Sequence, residues 1–251
     1  MEKLSVVIIT LNEATDIERA IRSMQGLADE VVVIDSGSKD GTQDIATKAG
    51  ARVVHRAFNG YGEQKHFANE QAAHRWVLNI DADEHLSEEL RASMRKVLAQ
   101  PEHAGYTMNV LTSYCGRYIR HCGWYPNTYL GLWDRQQGNM SLDKVHEGWR
   151  LHEGATTGHL SGDLLHEGFP TIDSHMERIR RYSEIGARFD AARGKRVSLL
   201  KLLLGPGWVF FTTYFIRLGF LDGYQGYLIS RISAFAAFVK YSKIRLYAKK
   251  A

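Results

Sequence analysis

Asp81 and Asp83 stand two residues apart in Trp76-Val77-Leu78-Asn79-Ile80-Asp81-Ala82-Asp83-Glu84, at the end of a run apolar enough for a buried strand. Carboxylates at the carboxyl end of a parallel strand lie where ligands of open α/β sheets bind. Hard oxygen donors in that place suit Mg²⁺ or Mn²⁺ bridging the phosphates of a nucleotide. Taken alone, the pair is equally a solvated turn that caps the next helix. A second apolar run, Val31-Val32-Val33-Ile34, delivers Asp35 to the loop Ser36-Gly37-Ser38-Lys39-Asp40-Gly41-Thr42. There a carboxylate can accept from ribose hydroxyls or a base N–H, although Ser-Gly and Asp-Gly are also common turn dipeptides. A third run ends in Ile9-Thr10-Leu11-Asn12-Glu13 and brings polar groups to the same edge. Acids at three strand ends on one rim are much harder to explain as turns than any one of them.

Such residues need a frame that gathers strand ends. Over the first hundred residues, short β-branched runs alternate with helical patterns, the signature of βαβ units around a mostly parallel sheet. Strands are expected at 5–10, 30–34, 52–55 and 76–80. Thr15-Asp16-Ile17-Glu18 reads as a capping box opening a helix that Gly26 closes, Gly50 closes the next, and Ser87-Glu88-Glu89 starts a third. Between Gly105 and Gly168 the pattern turns to strand-like pieces rich in Gly, Trp, Tyr and His, where an acceptor site would be built. A charged helix from Thr171 to Gly194 and an apolar, basic tail follow. The expected organisation is α/β: a catalytic domain over 1–170, with a nucleotide-binding half (1–100) and an acceptor half (101–170), then a helical region over 171–251.

Together, Val7-Ile8-Ile9-Thr10-Leu11-Asn12-Glu13, then Ile34-Asp35-Ser36-Gly37-Ser38-Lys39-Asp40-Gly41-Thr42, then Asp81-Ala82-Asp83-Glu84 resemble in order and spacing the family 2 glycosyltransferases. These are inverting enzymes of the GT-A fold, a Rossmann-like, mostly parallel sheet flanked by helices. Gly123-Trp124-Tyr125-Pro126, Lys144-Val145-His146-Glu147, Leu165-His166 and Leu221-Asp222-Gly223-Tyr224-Gln225-Gly226 are similar to the bacterial branch that adds glucose to the inner-core heptose of lipopolysaccharide. That extends the likeness to nearly the whole chain. Gly131-Leu132-Trp133 departs from the branch, which places a basic residue before the apolar pair. The resemblance implies transfer of a hexose, glucose from UDP-glucose, onto that heptose, with another lipid-linked or surface glycan as the alternative acceptor. It assigns Thr10, Asn12, Glu13 and Asp35 to the nucleoside and Asp81, Ala82 and Asp83 to the diphosphate, with Asp81 and Asp83 on the divalent cation.

Inversion by single displacement needs a base, because the attacking hydroxyl must lose its proton on the face opposite the leaving diphosphate. Glu147 is the expected base and His146 its orienting neighbour on the acceptor side; a surface glutamate in a polar loop is the competing reading. His166 completes the metal shell, touches the diphosphate or is a satisfied structural histidine. Trp124 and Tyr125 offer faces on which an acceptor sugar can stack, or pack as core. Lys65, placed before an apolar helix start, neutralises the leaving phosphate or is a solvated cation. Metal plus cation is enough to stabilise the departing nucleotide. A phosphotransferase using Asp81 as nucleophile and Asp83 as acid leaves Asp35 and Asn12-Glu13 without a task. A nucleotide-sugar-binding membrane protein without catalysis is disfavoured because all the acids are present.

Composition sets the surroundings. Of 251 residues, 44% are hydrophobic and 11% aromatic, which excludes a disordered chain. Cys115 and Cys122 match no metal spacing, and the apolar run at 5–10 is too short for a signal-peptide core, so a reducing, cytosolic setting is expected. The net charge of +4 conceals a basic tail: from Met176 onward there are 15 Lys and Arg against 4 Asp and Glu. Those cations are interleaved with Leu199, Leu200, Leu203, Trp208, Phe211 and Phe215, which fits an anionic membrane surface better than nucleic acid. Gly205-Pro206-Gly207, Lys201 and Arg217 interrupt a span, so helices lying on the inner face of the bacterial inner membrane are expected. Arg231, Lys240, Lys243, Arg245, Lys249 and Lys250 would meet acidic headgroups; a homo-oligomer contact, or packing on the catalytic domain, is the alternative for the apolar residues.

Overall fold

The computed structural model describes residues 1–141 and 148–248. Glu147, His146, Lys249 and Lys250 lie outside the described residues. The chain divides into two compact units, Met1–Val110 with Asn127–His166, and Leu111–Pro126 with Glu167–Ala251. Residues 111–126 group with the C-terminal helices in the second of these units.

The first unit runs β1 (Leu4–Thr10), α1 (Ile17–Ser23), β2 (Glu30–Asp35), α2 (Thr42–Lys48), β3 (Arg52–His55), α3 (Tyr61–Glu70), β4 (Trp76–Asp81), β5 (Glu84–Leu86), α4 (Glu88–Ala99) and β6 (Gly105–Tyr114). After β7 (Arg117–Tyr118), which belongs to the second unit, come β8 (Asn127–Asp134), the antiparallel pair β9 (Gly138–Ser141) and β10 (Gly148–Leu151), and β11 (Thr157–Phe169). The main sheet is ordered β3-β2-β1-β4-β8-β6-β11-β5, and its first four strands are parallel. β8 joins β4, β6 joins β8, and β5 joins β11, all antiparallel. The expected mostly parallel α/β sheet is therefore present, with strand starts and ends within a residue of those read from sequence.

Period-2 alternation places the core. Leu4, Val6 and Ile8 face one side of β1 and are fully buried with Ile17, Ile21 and Met24 of the α1 region and Leu90, Met94 and Leu98 of α4. Val7, Val32, Ile34 and Val77 face the other side with Ala68 of α3 and Trp133 of β8. Two local expectations change. Helix α1 is entered at Asp16, whose side chain pairs with Arg19 and makes no cap bond, so Thr15 does not cap it. Lys65 lies inside α3, a helix whose weak apolar pattern hides it in the sequence.

At the end of β8, Asp134 is 1% exposed and receives Arg75 through Nε (2.9 Å) and Nη2 (2.6 Å), together with the Gln136 N–H (2.9 Å). The arginine is 47% exposed and the carboxylate is not, so the two deletions are unequal. Arg75→Met strands a buried charge and should cost about 3 kcal/mol, whereas Asp134→Asn lets the guanidinium turn to water and should cost about 1 kcal/mol. Urea unfolding of both variants checks the order, and equal losses would contradict it.

The second unit is helical. α5 (Ile172–Ala192) opens with a capping box of Thr171 and Ser174, α6 (Leu199–Phe211) is capped by Ser198, and a π turn (Thr212–Ile216) and a 3₁₀ turn (Gly219–Asp222) lead into α7 (Gly223–Tyr247). The expected break at Gly205-Pro206-Gly207 does not occur, and α6 passes through Pro206. Gly205 serves the packing instead, since a Cβ there would lie 2.8 Å from the Tyr241 ring of α7. No residue of α6 is buried. The stretch Leu199–Ile216, with mean hydropathy 1.5, is long and apolar enough to cross a membrane by length and composition. Lys240 pairs with Asp190 (3.0 Å), Lys243 with Glu184 (3.1 Å), and Arg245 donates to the Val197 carbonyl (2.7 Å). Those three cations join the helices of the second unit, and Arg231 stays exposed, its guanidinium over Phe210.

Candidate active site

The register of the parallel strands builds the site. Thr10 pairs with Asp35 across β1 and β2, and Ile9 pairs with Asp81 across β1 and β4, so three strand ends finish side by side. Between them lies a cleft of about 320 Å³ lined by residues that include Thr10, Glu13, Ser36, Asp81, Ala82 and Asp83. That size falls at the lower end for small-molecule sites, roughly 300–1,000 Å³.

The acids divide into those that line the cleft and those that build it. Asp35 is fully buried, and its carboxylate accepts from the Gly37 and Ser38 N–H groups (2.9 and 3.0 Å), the Ser38 hydroxyl and the Gln43 amide (2.6 Å). It is engaged by its own loop, and Ser36 rather than Asp35 lines the cleft. Asn12, in the left-handed region at φ 58°, accepts from Lys39 N–H (2.9 Å), while its own N–H donates to Ser38 Oγ (2.8 Å). Asn12 and Asp35 therefore stitch the loops after β1 and β2 to one another.

Asp81, Asp83, Glu13 and Glu84 carry the electrostatics. Asp81 Oδ1 lies 2.9 Å from Lys65 Nζ, and Asp83 Oδ2 lies 3.1 Å from His166 Nε2. Burial alone would lower the Lys65 pKa, but the Asp81 carboxylate holds it above the ordinary lysine value. The Asp81 N–H donates to Glu84 Oε2 (2.9 Å), and Glu84, 8% exposed, has its pKa raised by burial and then by Asp81. Glu13 is pushed up to about 7, first by burial and then by Asp83, Asp16, Asp40 and Asp81.

Acids that raise one another's pKa, with one lysine among them, form a site over-supplied with negative charge, and a hard divalent cation with oxygen donors fits that excess. Asp81, Asp83 and His166 are the residues that would hold it. Among the described residues no group of three or more His, Cys, Asp or Glu side chains is arranged to hold a metal ion. Asp81, Asp83 and His166 would therefore need phosphate oxygens or water to complete a shell, in the manner of Mg²⁺.

Glu13 gives a test without substrate. Its folded pKa of about 7 exceeds the ordinary 4.5, so between those values the folded protein keeps a proton the unfolded chain has lost, and stability falls as pH rises. Glu13→Gln in metal-free protein should therefore melt like wild type at pH 5 and higher than it at pH 8. Because the group is only half-buried, the gain is set at about 1 kcal/mol, or roughly 2–4 °C. A difference independent of pH would refute the assignment.

Thr10, Glu13, Lys65, Asp81, Ala82, Asp83 and His166 are thus brought together. Trp124 and Tyr125 belong to the second unit. There Trp124 packs on Phe169 (5.1 Å between ring centroids) and edge-on to Tyr114 (5.8 Å). The Arg120 guanidinium lies 5.2 Å from the Tyr125 ring centroid. Three lining residues carry no local motif. Phe58 and Tyr61, a T-shaped pair 5.1 Å apart, are exposed at the rim, and Gln64 is fully buried, its amide donating to Ser36 Oγ and the Arg56 carbonyl (3.1 Å each). The signal that finds them is β3, the fourth parallel strand, whose carboxyl end must open onto the same rim.

Residues 5–148 match the description of glycosyl transferase family 2. An uncharacterized glycosyltransferase of Rickettsia felis is 34% identical over 264 residues, covering 98% of this chain and 90% of that protein. The lipopolysaccharide core biosynthesis glycosyltransferase LpsC of Rhizobium meliloti is 33% identical over 253 residues, 96% of this chain and 91% of its own length. Among solved structures, glucosyl-3-phosphoglycerate synthase from Mycobacterium tuberculosis in complex with Mn²⁺, UDP and phosphoglyceric acid is 30% identical over 46% of this chain and 44% of that chain, with a TM-score of 0.37.

Proposed function

Because this chain belongs to glycosyl transferase family 2, we infer that it moves a hexose, glucose from UDP-glucose, onto the inner-core heptose of lipopolysaccharide with inversion at the anomeric carbon. The observation that carries the reading is the convergence of Asp81, Asp83 and Glu13 from separate strand ends on one cleft. The similarity to LpsC, a lipopolysaccharide core biosynthesis glycosyltransferase, supports the acceptor, with another lipid-linked or surface glycan as the alternative.

In this reading Thr10, Glu13 and Ser36 line the donor's place, while Asp35 and Asn12 hold the loops in shape. Asp81 and Asp83, with His166, would hold a Mg²⁺ or Mn²⁺ ion whose shell the diphosphate or water completes. When bound, the ion neutralises charge on the diphosphate as a Lewis acid. Lys65, kept protonated by Asp81, adds a second cation on the leaving-group side. Glu147 removes the proton of the acceptor hydroxyl, His146 orients it, and Trp124 and Tyr125 belong to the acceptor side.

The second unit keeps the enzyme on its substrate by lying on the anionic inner face of the bacterial inner membrane. The feature that supports this is α6, an apolar helix none of whose residues is buried. Purified protein assayed against a panel of nucleotide sugars with Mn²⁺ or Mg²⁺ tests the donor. Turnover should be greatest with UDP-glucose and should stop with EDTA; activity unaffected by chelation would remove the cation from the mechanism.

A further inference from the structure

Helices α6 and α7 of the second unit meet at two points and part between them. Gly205 lies against the Tyr241 ring, and Phe210 lies beside Tyr227 (6.1 Å between ring centroids) and beneath the Arg231 guanidinium (5.6 Å), so the helices run in opposite directions. Where they part there is a groove of about 380 Å³, a size within the range of small-molecule sites. Its walls include Leu203, Pro206 and Gly207 of α6 and Ala234, Phe235 and Phe238 of α7, and Arg231 stands at the Phe210 end. From Arg231 to Phe238 the α7 wall extends seven residues, roughly 10 Å at 1.5 Å per residue.

The residues that weaken α6 most are the ones that open this groove. Proline and glycine both disfavour a helix interior, and Pro206 has no N–H to give the Leu202 carbonyl. A Cβ on Gly205 would press on Tyr241, but one on Gly207 would meet nothing within 4 Å. Gly205 thus brings the helices together, while Gly207 leaves room between them. Arg231 is the one charged residue on the groove's wall; it is exposed and in no ion pair among the described residues. Neither α6 nor α7 contains an Asp or Glu. The groove therefore offers a cation with an apolar trough behind it and no acid of its own to answer the charge, which complements an amphiphile with an anionic head.

We propose that this groove holds one acyl chain of an anionic phospholipid, with the phosphate at Arg231 and the chain running towards Leu203 and Phe238. The site rests on the membrane reading of the second unit and goes beyond it, because it takes a single lipid from the bilayer at a defined place and does not merely adhere to surface charge. A guanidinium meets phosphate oxygens through paired N–H donors, and one guanidinium matches the single charge of a phosphodiester.

The full chain is held in a non-ionic detergent and titrated with phosphatidylglycerol, phosphatidylcholine or palmitate, and native mass spectrometry counts the lipids retained per chain. Wild type should saturate at one phosphatidylglycerol and bind it about tenfold more tightly than phosphatidylcholine, the effect of one charge-assisted hydrogen bond. Arg231→Gln should bind the two phospholipids equally. Gly207→Leu/Ala234→Phe fills the groove and should retain neither, while sedimenting with phosphatidylglycerol vesicles as wild type does, because the outer face of α6 is untouched. Should that pair unfold, Gly207→Leu alone, which favours the helix, must still weaken retention. Retention unchanged in the filled groove, preference persisting in Arg231→Gln, or wild type that sediments with vesicles yet keeps no lipid or shows no preference overturns the groove alone. Palmitate bound as tightly as phosphatidylglycerol assigns the groove to a fatty acid and overturns the phospholipid. Wild type that neither sediments nor keeps a lipid defeats the membrane reading, and the groove with it.

Discussion

Asp83→Ala should lower transfer by roughly 10²–10³-fold, the loss that follows removal of one preorganised stabiliser of developing charge. In the same variant, donor affinity in Mn²⁺ should fall to its value in EDTA. Both follow from position. Asp83 lies in the turn between β4 and β5, lines the cleft, and has Oδ2 3.1 Å from His166 Nε2, so its loss takes a carboxylate from the cleft, the proposed oxygen ligand, and leaves the imidazole without that partner. Asp83→Asn sharpens the test, since it keeps the shape and one oxygen while removing the charge. Calorimetric titration of donor with and without metal reads the difference directly. A variant whose donor binding responds to metal as wild type does would show that the ion is held elsewhere.

Glu147→Gln should produce the opposite split. A general base acts on the acceptor's proton and contributes roughly 10²–10⁴-fold to the chemical step. The amide cannot take that proton, so kcat should fall by that factor while the donor dissociation constant stays unchanged. Slow donor hydrolysis, where measurable, should fall less than transfer. Weakened donor binding would move Glu147 from proton transfer to the nucleotide and reopen the identity of the base.

The separability of these two variants mirrors what can be read from sequence. Asp35, Asp81 and the Thr10–Glu13 stretch are legible as one rim because parallel strands in register must end together, and β-branched runs mark those strands plainly. Their individual tasks are not legible. Asp35 looks like a ligand in one dimension, yet the donors that engage it include Gln43, eight residues on, and only the folded loop brings that amide back. Lys65 reads as a solvated cation by default because the sequence places it before an apolar helix start, whereas it lies inside α3; its partner Asp81 comes from a strand sixteen residues away in sequence. Pro206 misleads in the other direction. A proline between two glycines signals a helix break, but the glycine before it lets α6 close against Tyr241, and that packing favours the continuous helix.

The exposed apolar face of α6 also governs how the protein behaves in the test tube. In detergent-free buffer, Leu200, Leu203, Leu204 and Trp208, each 62–71% accessible, will draw molecules together as concentration rises. Sedimentation velocity over a dilution series should show drifting mass averages that collapse to a single species containing one 28.5 kDa chain, plus bound amphiphile, once a mild amphiphile occupies the helix. Any multimer seen without it is then a substitute for the lipid, and kinetic constants gathered in such buffers describe an enzyme partly sequestered by its own copies.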